Sequence, residues 1–310
     1  MKEVQVEKHK NNIVSKSNEL IKAQGTLSST AYKMLSSVIS MLRVDDTKFQ
    51  EYALKRDEYL NLIGSSSNND EFLYKQAEEL MSNPFKIDGK MFNWCSMVDF
   101  KRIPGYIIFD VHPQLKPYLL QLKERGNFTQ YKIVNILSLR GDYNPRMYEL
   151  IAMEWNQYKK YNKDAKSYTF DLNIDFLRET FSIPDSYRYN DIKRNIIEKS
   201  KKQFKQKTDI KFDYKEQKIG RKVDRLIITV KENSKGSNDF LADLKSFIAY
   251  MRKYSVNQDV WKGQGMILSI DKNGRIYNKK TLNEYDNKQA QKVWEQWYQL
   301  AKENKLDCLK

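Results

Sequence analysis

Two segments of this 310-residue chain, about 118 residues apart, run through the same order of local signals. In the first, KFQEYAL (48–54) alternates like a short strand, and KRDEYLNLIG (55–64) reads as a short helix closed by a glycine. SSSNND is a loop rich in capping residues, and EFLYKQAEELM (71–81) is a helix with Leu73, Ala77, Leu80 and Met81 as its apolar positions. KIDGKMFNW and YIIFDV follow as a pair of strands, with Asp88-Gly89 as a turn signal beside them. In the second segment SYTFDL (167–172) is the strand, NIDFLRETFSI (173–183) the helix, PDSYRYN the loop and NDIKRNIIEKSKKQF (190–204) the long helix. DIKFDY and RLIITV are its two strands, joined by the basic turn KEQKIGRK. Tyr52, Leu54, Asp57, Tyr59 and Ile63 line up with Phe170, Leu172, Asp175, Leu177 and Phe181.

Each segment is preceded by an amphipathic stretch expected to be helical. LSSTAYKMLSSVISML (27–42) puts Leu27, Ala31, Met34, Leu35, Val38 and Leu42 at helical spacing behind a Ser28 or Ser29 cap. YKIVNILSL with RMYELIAMEWNQY plays the same part in the second segment. Helix, strand, helix, helix and a two-stranded wing is the order of a winged helix-turn-helix. The expected fold class is therefore α+β, with two tandem winged-helix modules and a small C-terminal α/β extension. In such a module the third helix enters the major groove and the wing lies along the backbone.

A helix from about Gln114, ended by Gly126, joins the modules, and the boundary is placed at Gly126-Asn127. This divides the chain into 1–126, 127–233 and an extension over 234–310. The extension reads as a helix (238–254), a hairpin MILSIDKNGRIYN turning at Asn273-Gly274, and a last helix (287–304). No motif assigns it a role. The cluster Trp294, Trp297 and Tyr298 in its last helix reads as core, with docking of a partner protein as the second reading.

Charge points to the partner. Fifty-five Lys+Arg against 40 Asp+Glu give a net charge of +15, which favours nucleic acid or an anionic membrane surface. No apolar run of about 18 residues exists and no signal-peptide core begins the chain, so no membrane partner is expected. Cys95 and Cys308 stand far apart and form no metal-ligand pair, in keeping with a reduced cytosol. Only His9 and His112 are present, and neither a zinc motif nor a phosphate-binding P-loop occurs. No metal, cofactor or catalytic residue is expected. His112 and Cys95 read as structural.

The basic charge is concentrated. From Arg188 to Lys231 the chain holds 15 Lys+Arg and 6 Asp+Glu. On a wheel of about 100° per residue, Ile192, Ile196, Ile197, Ser200 and Phe204 fall within about 140°, a buried face. Arg194, Lys201 and Lys205 lie opposite, within about 40°. Such a face can be a merely solvated one. Its place on the third helix, ahead of a wing with Lys215, Lys218, Arg221 and Lys222, favours DNA. Arg188, Asn190, Lys193 and Arg194, at the helix start, are the candidate base readers. Lys201, Lys205 and the wing cations are the candidate phosphate contacts. The first module is weaker. Its third helix carries three glutamates, with Lys75 and Gln76 as candidate readers, and its wing offers Lys86, Lys90, Lys101 and Arg102. Groove reading and a dimerisation role are both open for it.

VSKSNELIKA (14–23), LSSTAYKML (27–35), FDVHPQLKPYLLQLK (109–123), FTQYKIVNILSLRGDYNPRMYELI (128–151) and GRKVDRLIITV (220–230) resemble the iteron-binding plasmid replication initiators, the Rep proteins. The resemblance covers about residues 12 to 232. It implies binding of double-stranded DNA at repeated origin sites, and repression of the initiator's own promoter by dimers formed through the first module. It also implies recruitment of the host replication initiator and helicase, with no enzymatic chemistry of its own. A dimeric winged-helix repressor and a nickase with a tyrosine nucleophile are the competing readings.

Overall fold

In the second half of the repeat, Asn173 turns a strand directly into a helix. Its Oδ1 accepts the backbone N–H groups of Asp175 at 2.8 Å and Phe176 at 3.1 Å, two donors that a helix start otherwise leaves open. The structure is a computed structural model and describes residues 4–6, 13–43, 46–63, 70–233, 268–270 and 276–278. Residues 1–237 form one compact unit and 238–310 a second.

The first module begins with β1 (Val4–Val6), β2 (Ile13–Ser17) and a single turn, α1 (Asn18–Ile21). Ser28 caps α2 (Ser29–Ile39), its Oγ accepting from Ala31 N–H at 3.2 Å. Then come β3 (Glu51–Lys55), α3 (Arg56–Ile63) and α4 (Asp70–Ser82). A small hairpin, β4 (Phe85–Ile87) and β5 (Lys90–Phe92), precedes the wing strands β6 (Cys95–Asp99) and β7 (Tyr106–Val111). The connection holds a 3-10 turn (Pro113–Leu115), α5 (Lys116–Leu119) and α6 (Leu122–Arg125). The second module has β8 (Phe128–Lys132), α7 (Ile133–Ser138), α8 (Asn144–Tyr161), β9 (Ser167–Asn173) and α9 (Ile174–Thr180). Its third helix runs through α10 (Tyr189–Ile192), a π turn (Lys193–Ile197) and α11 (Glu198–Lys207). The wing strands β10 (Ile210–Ile219) and β11 (Lys222–Glu232) complete it.

Both modules are winged helices, and their sheets share one topology. The orders are β1-β3-β7-β6 and β10-β11-β9, so in each the last wing strand lies between its partner wing strand and the strand that leads into the helix pair, β3 or β9. Tyr52 pairs with Phe109 and Phe170 with Ile228, which puts the aligned residues Tyr52 and Phe170 at equivalent places. In the first module β1 runs parallel to β3 and covers that edge. In the second compact unit, β12 (Leu268–Ile270) and β13 (Ile276–Asn278) pair antiparallel, as the hairpin signal predicts. The turn at Asn273-Gly274, both helices of the extension, Cys308, His9 and the Trp294 cluster lie outside the described residues.

Three local expectations are corrected. Asp88-Gly89, at φ of 49° and 76°, closes the separate hairpin β4–β5, and the first wing is β6–β7. Lys86 and Lys90 therefore sit outside that wing. YKIVNILSL is not wholly helical: Phe128–Lys132 is a strand pairing with β2, its residues Thr129 and Tyr131 buried and Gln130 and Lys132 exposed. The connecting helix is broken where Leu120 is extended and Gln121 takes φ of 55°, although Gly126 ends it as expected.

A single hydrophobic cluster runs from Val14 to Val230 through both modules. The β2–β8 pair crosses the 126/127 boundary, and a buried polar network reinforces the crossing. Lys16 is 0% exposed and its ammonium donates to Glu149 at 2.8 Å, while the Tyr32 and Tyr131 hydroxyls donate to the same carboxylate. Burial pushes the Lys16 pKa down, and the Glu149 charge opposes that push. Arg146 donates to three carbonyls: Ala23, Gly25 at 2.5 Å and Thr180 at 2.7 Å. Ala23 and Gly25 precede α2 of the first module, and Thr180 ends α9 of the second. One guanidinium therefore grips both.

Candidate nucleic-acid interface

The third helix of the second module starts with Arg188 as its cap residue. Asp191 accepts from the Arg188 N–H at 3.0 Å and also holds Arg194 at 3.0 Å. Arg188 and Asn190 are exposed, and the Arg194 side chain is 74% exposed. These three residues stand together at the open end of the helix.

The π turn changes the faces of the rest. The Glu198 N–H returns to the Lys193 carbonyl, five residues back. One such turn rotates everything after it by about 100° relative to an ideal helix. Ile192, Ile196, Ile197, Ser200 and Phe204 are all 0% exposed. Their arc narrows from about 140° to about 60°. Lys199, which an ideal wheel puts on the buried side, is exposed, and so is Lys202. These two cations were missed. No sequence signal marks them, because an ideal wheel already buries Ile192, Ile196 and Ile197 within one arc.

The same rotation carries Lys201 toward the wing. Lys201 pairs with Asp213 at 2.7 Å, and Lys193 pairs with Glu216 at 2.7 Å. Each pairing raises the lysine pKa. The Glu216 carboxyl is held below its ordinary range, chiefly by the Lys193 ammonium paired with it. A third tie, from the Tyr214 hydroxyl to Glu198 at 2.5 Å, completes a ladder between helix and wing. Lys193 and Lys201 are thus engaged with carboxylates. Lys205, Lys215, Lys218, Arg221 and Lys222 are exposed. Gly220, at φ of 59°, makes the wing turn, which presents Arg221 beside an Ile219 that is 66% exposed.

The first module presents a different face. On α4, Glu71, Tyr74, Lys75, Glu78 and Met81 are exposed, so Lys75 stands between two carboxylates. Gln76 is corrected: it is 2% exposed, its Oε1 accepts from the Tyr59 hydroxyl at 2.9 Å and its Nε2 donates to the Phe72 carbonyl at 3.0 Å. It is a core residue with no edge to offer a base. In the wing turn Lys101 is exposed, whereas Arg102 is bound to Asp99 at 3.1 Å and to Glu51 at 2.5 Å. His112 Nδ1 accepts from the Gln114 N–H at 3.4 Å, and burial pushes the Cys95 thiol up to about 12. No helix among the described residues is long and apolar enough to cross a membrane.

Residues 13–152 match the family described as "Initiator Replication protein, WH1", and residues 173–230 match "Initiator Rep protein, WH2". The two stretches take in well over half of the chain. The chain belongs to the Rep initiator family. This Rep initiator is 27% identical over 158 residues to the PI protein of Escherichia coli, which is 47% of this chain and 49% of that protein. It therefore spans about half the length of the curated relative it matches. Among solved structures it is similar to the Pi initiator protein in complex with iteron DNA, at a TM-score of 0.58 and 18% identity, over 73% of this chain and 100% of that one. That likeness is one of fold, and the paired winged helices of the Rep initiator account for it.

Proposed function

We propose that this protein is a sequence-specific initiator of plasmid replication that binds direct repeats in double-stranded DNA through its second module. The observation that carries this reading is the third helix of that module: a buried isoleucine side, an open end with Arg188, Asn190 and Arg194, and an outer row with Lys199, Lys202 and Lys205. Arg194 reads guanine O6/N7, and Arg188 and Asn190 flank it. The outer lysines with Lys215, Lys218, Arg221 and Lys222 meet phosphates and set register. Lys75 and Lys101 are the DNA contacts of the first module. The glutamates beside Lys75 keep the rest of α4 away from phosphates, which suits a dimer contact.

The family and the likeness to the Pi–iteron complex support the repeat-binding role. The sequence resemblance supports the rest: dimers repressing their own promoter, recruitment of the host initiator and helicase, and a bacterial cytoplasmic setting. By role the chain divides into 1–126 for dimerisation and minor DNA contact, 127–233 for sequence reading, and 234–310 as an extension. The test is anisotropy titration of the full chain on DNA flanking its gene. Tandem direct repeats should bind more tightly than a scrambled duplex at equal salt. Equal affinity for both would sink the reading, and preference for a single inverted repeat alone would leave only a repressor.

A further inference from the structure

The wing of the second module ends in a projecting arm. Its stem is fixed to the third helix by the pairs Lys193–Glu216 and Lys201–Asp213, each at 2.7 Å, and to β9 by Arg225–Asp171 at 3.3 Å. Beyond Glu216 the pairing slips by one residue: Gln217 faces Arg225 but Lys218 faces Val223, so Asp224 bulges from the ladder. Such a bulge bends and twists the strands that follow it. From Gln217 to Lys222 every residue is exposed, and nothing lies within 4 Å of where a side chain on Gly220 would begin.

Ile219 stands at the end of this arm. It is 66% exposed, and no large aliphatic side chain among the described residues is more so. It pairs across the turn with Lys222, so the two side chains share one face of the hairpin. Val223 lies on the other face and packs against the core, which leaves the Ile219 face outermost. Between Glu216 and Asp224 the chain holds three cations, Lys218, Arg221 and Lys222, and no acid. A scattered surface isoleucine is ordinary and calls for no partner. This one tips a braced arm and is ringed by cations. That combination fits a partner with anions outside and apolar surface within, which is the plan of a duplex: phosphates around stacked bases.

We infer that Ile219 is a wedge that enters the minor groove beside the third helix and pushes between two stacked base pairs, while Lys218, Arg221 and Lys222 hold the phosphates around it. This inference rests on the function proposed above. Ile219 lies about 10 Å of strand beyond Glu216, and Glu216 is tied to the start of the helix that enters the major groove. One backbone separates that groove from the next minor groove. The minor groove is about 6 Å wide, which admits a side chain but not a whole hairpin. Because the stem is braced, the arm does not fold back to spare the bases. The duplex yields most easily at pyrimidine–purine steps, so the wedge adds a preference for TA or CA at a place that no hydrogen bond reads.

Two measurements on the full chain test it, with a repeat duplex taken from the DNA flanking its gene. Energy transfer between dyes on the duplex ends reports bending. 2-Aminopurine, replacing in turn each adenine of a pyrimidine–adenine step, reports unstacking. At saturation the wild type should bend the duplex by about 20° or more and brighten one 2-aminopurine several-fold. Ile219→Ala should lose most of both signals while keeping the wild-type Tm and salt slope, because the side chain is exposed and uncharged. Ile219→Leu should keep both signals. Lys222→Ala should need more protein to saturate yet reach the wild-type bend and brightness. Wild-type signals from Ile219→Ala overturn the wedge, and so does repeat-specific binding that brightens no step. If the wild type shows no preference for repeats, the function proposed above fails instead. The wedge is then decided by the same two signals, wild type against Ile219→Ala, on a random duplex.

Discussion

Arg194 and Lys222 carry the same charge but stand in different settings. Arg194 is steered by Asp191 at the open end of the third helix of the second module, whereas Lys222 follows a turn at the wing tip. Arg194→Ala should lose about 1–3 kcal/mol of preference for the repeat while changing non-specific binding little. Lys222→Ala should weaken repeat and random duplex alike and lower the salt slope by about 1. Titrations at several salt concentrations check both, and identical behaviour of the two variants would refute the division of labour. That most candidate residues are exposed was legible from charge and position alone. Gln76 was not, because a polar residue on an amphipathic helix reads as exposed until Tyr59 claims it. Lys199 and Lys202 were not, because the angle of every residue after Lys193 depends on one wide turn.

At the scale of elements, the ladder from helix to wing deserves a test of its own. Glu216 occupies Lys193 and Asp213 occupies Lys201, so two cations of the third helix are already paired with carboxylates. A random duplex must compete with these carboxylates for the same ammonium groups. Glu216→Gln should therefore raise affinity for scrambled duplex more than for the repeat and steepen the salt dependence by about one ion. In a Lys193→Met background the same change should no longer steepen it. An unaltered slope in the first experiment would show that Lys193 never reaches a phosphate. The order of elements was legible because each strand and helix announces its own period. Their exact kind was less so. FTQYK becomes a strand because β2, more than 100 residues away in sequence, supplies its partner. No local pattern contains that information.

Across the whole molecule, Lys16 and Glu149 hold the first strand pair against the long helix of the second half. Glu149→Gln strands a fully buried ammonium and should destabilise the protein by about 3–5 kcal/mol in chemical denaturation. A loss below about 1 kcal/mol would mean that Lys16 relaxes to water and that the network contributes little. The two-module plan followed from the repeat, but the continuous core did not. A repeat describes each module separately and is silent on what either one packs against. Arg146 shows the result, with carbonyls from both modules around one guanidinium. Those bonds are directional and short, so the modules cannot drift apart by degrees without leaving a buried cation unsatisfied. The protein is thus a ruler with a single graduation. If both modules contact one duplex as proposed, inserting half a helical turn of DNA, about 5 base pairs, between the two contacted stretches should cost it one of them outright, with no intermediate fit.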